Sequence, residues 1–195
     1  MMSEQRVQEY LRNEIHRIQC TTNYIQKQMR ILELSENEYF TTASYDVRLE
    51  ENGKVAIHSG KQMFHNTVLG GNSYLSGIHR LRITIENLNS NHKYLFFGVL
   101  SSATGKIQSV PSFYSPSAYG WSMKCIYIKG IQIEEYDSDI VQEDVIELEL
   151  NCDEQTISLL NKRTNKKMQM MVDGKLPWKL HCTICCPGDR LRLLD

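Results

Sequence analysis

Apolar positions along this chain follow two periods. Over residues 1–34, Leu11, Ile15, Ile18, Thr22, Ile25, Met29 and Leu32 recur at spacings of 4, 3, 4, 3, 4 and 3. That rhythm places all seven on one stripe of an α-helix. No Pro or Gly interrupts the segment. The stripe fits two arrangements equally: a helix docked on its own domain, or the stub of a coiled coil that joins two copies into a homodimer. An isolated helix this short is marginal in water, so packing of one kind or the other has to cover it. Residues 35–44 are polar and read as a linker.

From residue 45 the period falls to two. Val47 and Leu49 alternate with Arg48 and Glu50, then Asn52-Gly53, a strong hairpin signal, leads to Val55 and Ile57. In residues 78–87, Leu81, Ile83 and Ile85 alternate with Arg80, Arg82, Thr84 and Glu86. Residues 94–100 are almost wholly apolar and predict a strand covered on both faces. Further strands are expected at 119–128, 145–150, 156–160, 167–172, 178–185 and 190–194. Roughly ten short strands with no helical pattern between them exclude an alternating α/β fold and predict an all-β antiparallel sandwich over residues 45–195, behind an N-terminal α-helix.

Composition narrows the functional classes. At 195 residues, with 41% apolar and 23% charged residues, the chain can bury a full core. A net charge of −1 gives no general attraction to nucleic acid or an acidic membrane. No apolar run reaches the roughly 18–20 residues that a membrane span requires, and residues 1–19 lack the apolar core of a secretory signal. A soluble cytoplasmic protein is therefore expected. Cys20, Cys125, Cys152, Cys182, Cys185 and Cys186 read as reduced thiols, four of them inside apolar strand-like runs.

Short motifs occur in a telling order. Val68-Leu69-Gly70-Gly71-Asn72-Ser73-Tyr74-Leu75-Ser76-Gly77-Ile78-His79 precedes a core strand, and Phe97-Gly98-Val99 forms the next. Tyr119-Gly120-Trp121 starts another strand. Asp144-Val145-Ile146 through Leu150-Asn151-Cys152-Asp153-Glu154-Gln155-Thr156-Ile157-Ser158 follows, and Pro187-Gly188-Asp189-Arg190-Leu191-Arg192-Leu193-Leu194 closes the chain. In this order, over residues 68–194, the segments resemble the SPRY family. Residues 45–58 are similar to the leading PRY strands found in tripartite-motif proteins, where a helix also precedes the domain. The sequence departs from the family at Arg80-Leu81-Arg82, where Tyr-Trp-Glu is usual, at Glu143, where a Gly is usual, and at Asn151, which replaces an Asp.

The resemblance implies a module that binds a peptide or protein segment through loops at one edge of the sandwich, without a cofactor. No RING or B-box cysteine–histidine array is present, so ligase activity is not implied. The candidate surface is the segment 101–118, with Val110, Pro111, Phe113, Tyr114 and Pro116. Asn72 and Tyr74 lie on a loop able to meet it, and Tyr119 and Trp121 begin the following strand, Trp121 being the more core-like of the two. The alternative is a structural subunit whose helix dimerises while the sandwich is passive.

Other chemistry is weaker. His181, Cys182, Cys185 and Cys186 offer zinc-like spacing, but strand alternation separates Cys182 from Cys185 and no second pair completes a site, so no metal is expected. Cys125, Cys182 and Cys186 are conceivable nucleophiles with no marked base, and His79 belongs to the family motif as a structural residue. No phosphate-binding or nucleophile-elbow motif is present. Ten carboxylates between residues 134 and 154 read as solvated strand faces and a loop, with Glu147 and Glu149 outward. Lys162, Arg163, Lys166 and Lys167 read as a hairpin tip.

Overall fold

The structure is a computed structural model and describes residues 4–33, 37–89, 91–92, 94–101, 111–135, 138–174 and 176–195. One helix, α1 (Glu4–Glu33), precedes fourteen strands: β1 (Phe40–Ala43), β2 (Val47–Glu50), β3 (Val55–His58), β4 (Asn66–Gly70), β5 (Ile78–Asn87), β6 (Leu95–Ser101), β7 (Ala118–Ser122), β8 (Cys125–Ile128), β9 (Ile131–Glu135), β10 (Val145–Asn151), β11 (Thr156–Asn161), β12 (Lys166–Met171), β13 (Trp178–Ile184) and β14 (Arg190–Leu194). They form two seven-stranded sheets, ordered β1-β4-β13-β6-β7-β8-β9 and β12-β11-β10-β5-β14-β3-β2. Every pairing is antiparallel. The expected all-β antiparallel sandwich is the observed fold.

Alternation builds the core. Leu81, Ile83 and Ile85 of β5 meet Ile146, Leu148 and Leu150 of β10 on one inner face. Leu95, Phe97 and Val99 of β6, Tyr119 and Trp121 of β7, and Trp178, Leu180, Cys182 and Ile184 of β13 face them from the other sheet. Gly98 and Gly120 lie opposite each other, and a methyl group added to either runs into the backbone of the facing strand. This contact accounts for the glycine in each of those two motifs.

Three expectations are corrected. Residues 40–43 are a strand paired with β4 rather than linker, and Glu38 and Phe40, both within the expected linker 35–44, are buried. The run 119–128 breaks into two strands that turn back at Met123-Lys124. β9, in the acidic stretch, was not anticipated; its Ile131 and Ile133 are exposed on a sheet edge and leave no simple core-face pattern. The Asn52-Gly53 hairpin joins β2 to β3 through a wider turn, with Glu51, Asn52 and Gly53 all at positive φ.

The departures from the family pattern have local explanations. Glu143 adopts φ 72°, a left-handed conformation that a glycine takes without strain and that costs another residue about 1 kcal/mol. Asn151 Oδ1 accepts the Glu154 N–H at 3.0 Å, so the amide holds the turn in place of a carboxylate, while Asp153 Oδ1 accepts the Gly77 N–H at 2.8 Å. Leu81 is buried opposite Leu148.

The outer face of the second sheet is charged and internally paired. Glu149 bonds Arg80 at 2.7 Å, Lys162 lies 3.3 Å from Glu147, and Glu86 accepts from both Arg190 and Arg192. The carboxylates of β10 are thus matched by neighbouring cations rather than aimed at one reaction centre. The basic run is the β11–β12 turn, with Asn165 at φ 58°. On α1, Leu11, Ile15, Ile18 and Thr22 are exposed; Ile25, Met29 and Leu32 have side chains outside the described set.

Asp144 is a buried charge with four donors. It accepts the Val141 N–H at 2.9 Å, Asn161 Nδ2 at 2.9 Å, and Arg163 Nε and Nη2 at 2.5 and 3.1 Å. Burial opposes ionisation, but Arg163 and the other donors outweigh it and hold the carboxyl below its usual pKa. A depressed carboxyl stabilises the fold above its unfolded pKa, near 3.9, and loses that contribution as pH falls through the lower folded value. Asp144→Ala is expected to cost about 2–3 kcal/mol at neutral pH in urea unfolding. The stability curves of wild type and variant should converge below about pH 4.

Candidate recognition surface

β6 is buried along its whole length, so the first sheet needs a cover on its outer face as well as a core. The segment following β6 supplies it. A single 3-10 turn, Ser112–Tyr114, lays Phe113 against Phe96 at 5.6 Å and 25°, with Tyr127 at 5.0 Å and His65 at 5.3 Å. These rings form a second, smaller apolar cluster outside the main core.

Polar groups fix the same turn. Ser112 Oγ shares a hydrogen bond of 2.6 Å with His181 Nε2 and a second with Thr67 Oγ1. Burial pushes the His181 pKa down to about 3, so the imidazole is neutral. Its Nδ1 has no carboxylate or other partner among the described residues, and Ser112 is closed to solvent. A serine activated for attack needs an oriented base and access to substrate; this pair has neither and acts as a latch. Burying Phe113 contributes about 1.5–3 kcal/mol, more than the roughly 1 kcal/mol of a neutral hydrogen bond, so the ring is the main anchor.

Tyr114 follows the anchor and remains 52% exposed. Its ring lies 4.7 Å from Phe113 and 5.8 Å from Tyr127. Its backbone is fixed on both sides: Tyr114 N–H donates to Pro111 C=O at 3.0 Å, and Ser115 N–H to Ser112 C=O at 2.9 Å. Gly130, at φ 73° in the β8–β9 turn, packs so closely under the Tyr114 and Ser115 carbonyls that no side chain fits there.

The other proposed contact residues are distributed differently. Phe113 is buried as the anchor and Trp121 is buried in the main core. Tyr119 is also buried, edge-on to Trp178 at 5.4 Å, with its hydroxyl donating to Asp173 Oδ1 at 2.5 Å. Burial and the Asp173 carboxylate raise the Tyr119 phenol pKa. Tyr74 is buried, paired through its backbone with Trp178, and its hydroxyl donates to Glu38 Oε2. Asn72 is half-buried beside it. None of these four rings offers a contact surface in this conformation, because each fills the volume that holds the sandwich together. Val110 lies outside the described residues.

Glu38 was hidden in the apparent linker, because nothing local marks it. Its Oε1 accepts the N–H groups of Tyr39, Gly71 and Asn72 at 3.0, 2.9 and 3.2 Å, clamping the entry of the chain to the loop after β4. His79 is a packing residue: its Nε2–H donates to Ser76 C=O at 2.8 Å and its ring lies 4.3 Å from Tyr74. All six cysteines are free thiols, and among the described residues no three His, Cys, Asp or Glu side chains gather as a metal site. No helix of the described residues is long and apolar enough to cross a membrane.

No family model matches the chain, and no curated protein is similar to it in sequence. Solved structures are similar in fold. The SPRY domain of human HERC1 matches with a TM-score of 0.66 and 18% identity, over 80% of this chain and 97% of that one. The TRIM65 PSpry domain matches with a TM-score of 0.66 and 12% identity, over 86% and 95%. Stonustoxin matches with a TM-score of 0.60 and 13% identity, over 80% of this chain and 27% of its own. The fold is therefore SPRY-like.

Glu38→Ala removes an acceptor from three N–H groups and one hydroxyl, and is expected to cost about 3 kcal/mol. Tyr74→Phe removes the hydroxyl's bonds to Glu38 and Asn72 and should cost less, about 1–2 kcal/mol. Chemical denaturation of both variants checks the ranking.

Proposed function

We propose that this chain is a protein-recognition module, not an enzyme, which captures a segment of a partner protein on the outer face of the first sheet around Tyr114. The SPRY-like fold supports the general class. The observation that carries the site is the pairing of neighbours: buried Phe113 fixes the turn, and Tyr114 is held beside it with half its surface free. A rigid exposed tyrosine offers contact area at little cost in conformational entropy. The surrounding titratable groups favour binding over catalysis, since Ser112 and His181 are sealed. Tyr114→Ala is expected to lower partner capture from cell extract by about tenfold while leaving thermal unfolding unchanged, because a half-exposed ring adds little to the core. Undiminished capture would remove Tyr114 from the site.

A second reading concerns assembly, and the exposed stripe of Leu11, Ile15 and Ile18 favours it. A homodimer through α1 covers apolar surface that the described part of the domain leaves wet. In light scattering coupled to size exclusion, Ile15→Asp with Ile18→Asp is expected to convert a dimer to a monomer without loss of the sandwich's β-sheet signal. A mass unaffected by the pair would refute dimerisation through this stripe.

A further inference from the structure

The outer face of the first sheet carries a second feature, a shallow cleft of about 600 Å³ where β6 and β8 begin and β13 ends. Met63, His65, His92, Tyr94, Lys124 and Cys185 line it. Its two halves differ in chemistry. Met63 and the adjacent Phe64 are both more than half exposed. Their loop is nevertheless pinned, since Phe64 N–H donates to Cys185 C=O at 3.1 Å. The other half is cationic or neutral. Lys124 is exposed and forms no ion pair among the described residues. Among the described residues, no carboxylate lines the cleft. Asp189, close to Cys185 in sequence, is fully buried and bonded to the N–H groups of Asn89, Cys185 and Cys186 at 3.0, 3.2 and 2.7 Å.

The cleft adjoins the Tyr114 surface. Tyr94 stacks edge-on against His65 at 4.3 Å, and its hydroxyl is hydrogen-bonded to that of Tyr127, which in turn reaches Tyr114. One continuous track of aromatic groups thus runs from Tyr114 to the cleft.

We propose that the cleft seats an acidic side chain of a partner protein's peptide, its carboxylate on the Lys124 ammonium and a neighbouring apolar side chain against Met63 and Phe64. The proposal rests on the recognition reading above and assigns that site a ligand chemistry. A cation with no ion pair, in a described lining that holds no carboxylate, selects a negative group. The exposed sulfur and ring beside it require a ligand with an apolar part, which an inorganic anion lacks.

The test is a selection from a random-peptide phage library on the wild-type chain, followed by affinity measurements of the enriched peptides on Lys124→Glu, Lys124→Arg and Tyr114→Ala. Lys124 is exposed, so both of its variants should fold, and thermal unfolding checks this. The enriched peptides are expected to carry Asp or Glu next to an apolar residue. They should bind Lys124→Glu roughly tenfold more weakly, retain affinity for Lys124→Arg, and weaken as salt is raised. Failure to enrich any peptide, peptides without acidic enrichment, or unchanged affinity on Lys124→Glu overturns the proposal. Loss on Tyr114→Ala with none on Lys124→Glu would sink the cleft and leave the Tyr114 reading standing. The reverse pattern would uphold the cleft and sink Tyr114.

Discussion

A strand that is apolar on both faces has to be covered twice, and β6 sets that condition for the molecule. Leu95, Phe97 and Val99 look into the sandwich, while Phe96 and Leu100 look out of it. The second sheet satisfies the first group. The turn at Ser112–Tyr114 satisfies the second by laying Phe113 against Phe96. The presentation of Tyr114 is a by-product of this cover: whatever residue follows the buried ring is carried to the surface in a fixed orientation. Packing, rather than the loop's own preference, supplies the rigidity of this turn.

The two outer faces solve different problems. That of the second sheet is a lattice of ion pairs, in which β10 acids meet β5 and β12 bases, and Arg190 and Arg192 share Glu86. Each exposed pair is worth at most about 1 kcal/mol, so the pattern matters more for keeping the face solvated and its charges mutually satisfied than for stability. The first sheet has fewer such pairs among the described residues and instead shows aromatic and sulfur-bearing side chains beside Lys124. That asymmetry separates a face saturated by its own contacts from one that has contacts left to make.

The sandwich was legible because alternation is a local signal: Leu81, Ile83 and Ile85 announce the inner face of β5 without reference to anything distant. β1 and β9 were not, because an edge strand pairs on one side only and tolerates Thr, Gln and Glu. Within the segment 101–118, the direction of each ring was not legible in the sequence. Phe113 and Tyr114 are adjacent and chemically alike, and only the position of Phe96 decides which one is buried. Glu38 was beyond reach for a further reason. Its partners Gly71, Asn72 and Tyr74 are more than thirty residues away, and a lone carboxylate in a polar stretch reads as solvent-facing.

The position of β14 has a consequence for how the second sheet closes. Its five residues, Arg190–Leu194, lie between β5 and β3, so the strand that follows all the others in the sandwich is an interior one. Until β14 is in place, β3 and β5 each present an unpaired edge, and the preceding strands cannot complete the sheet among themselves. Loss of those five residues from the sheet would act on the sandwich as a split through its middle rather than as the fraying of an edge.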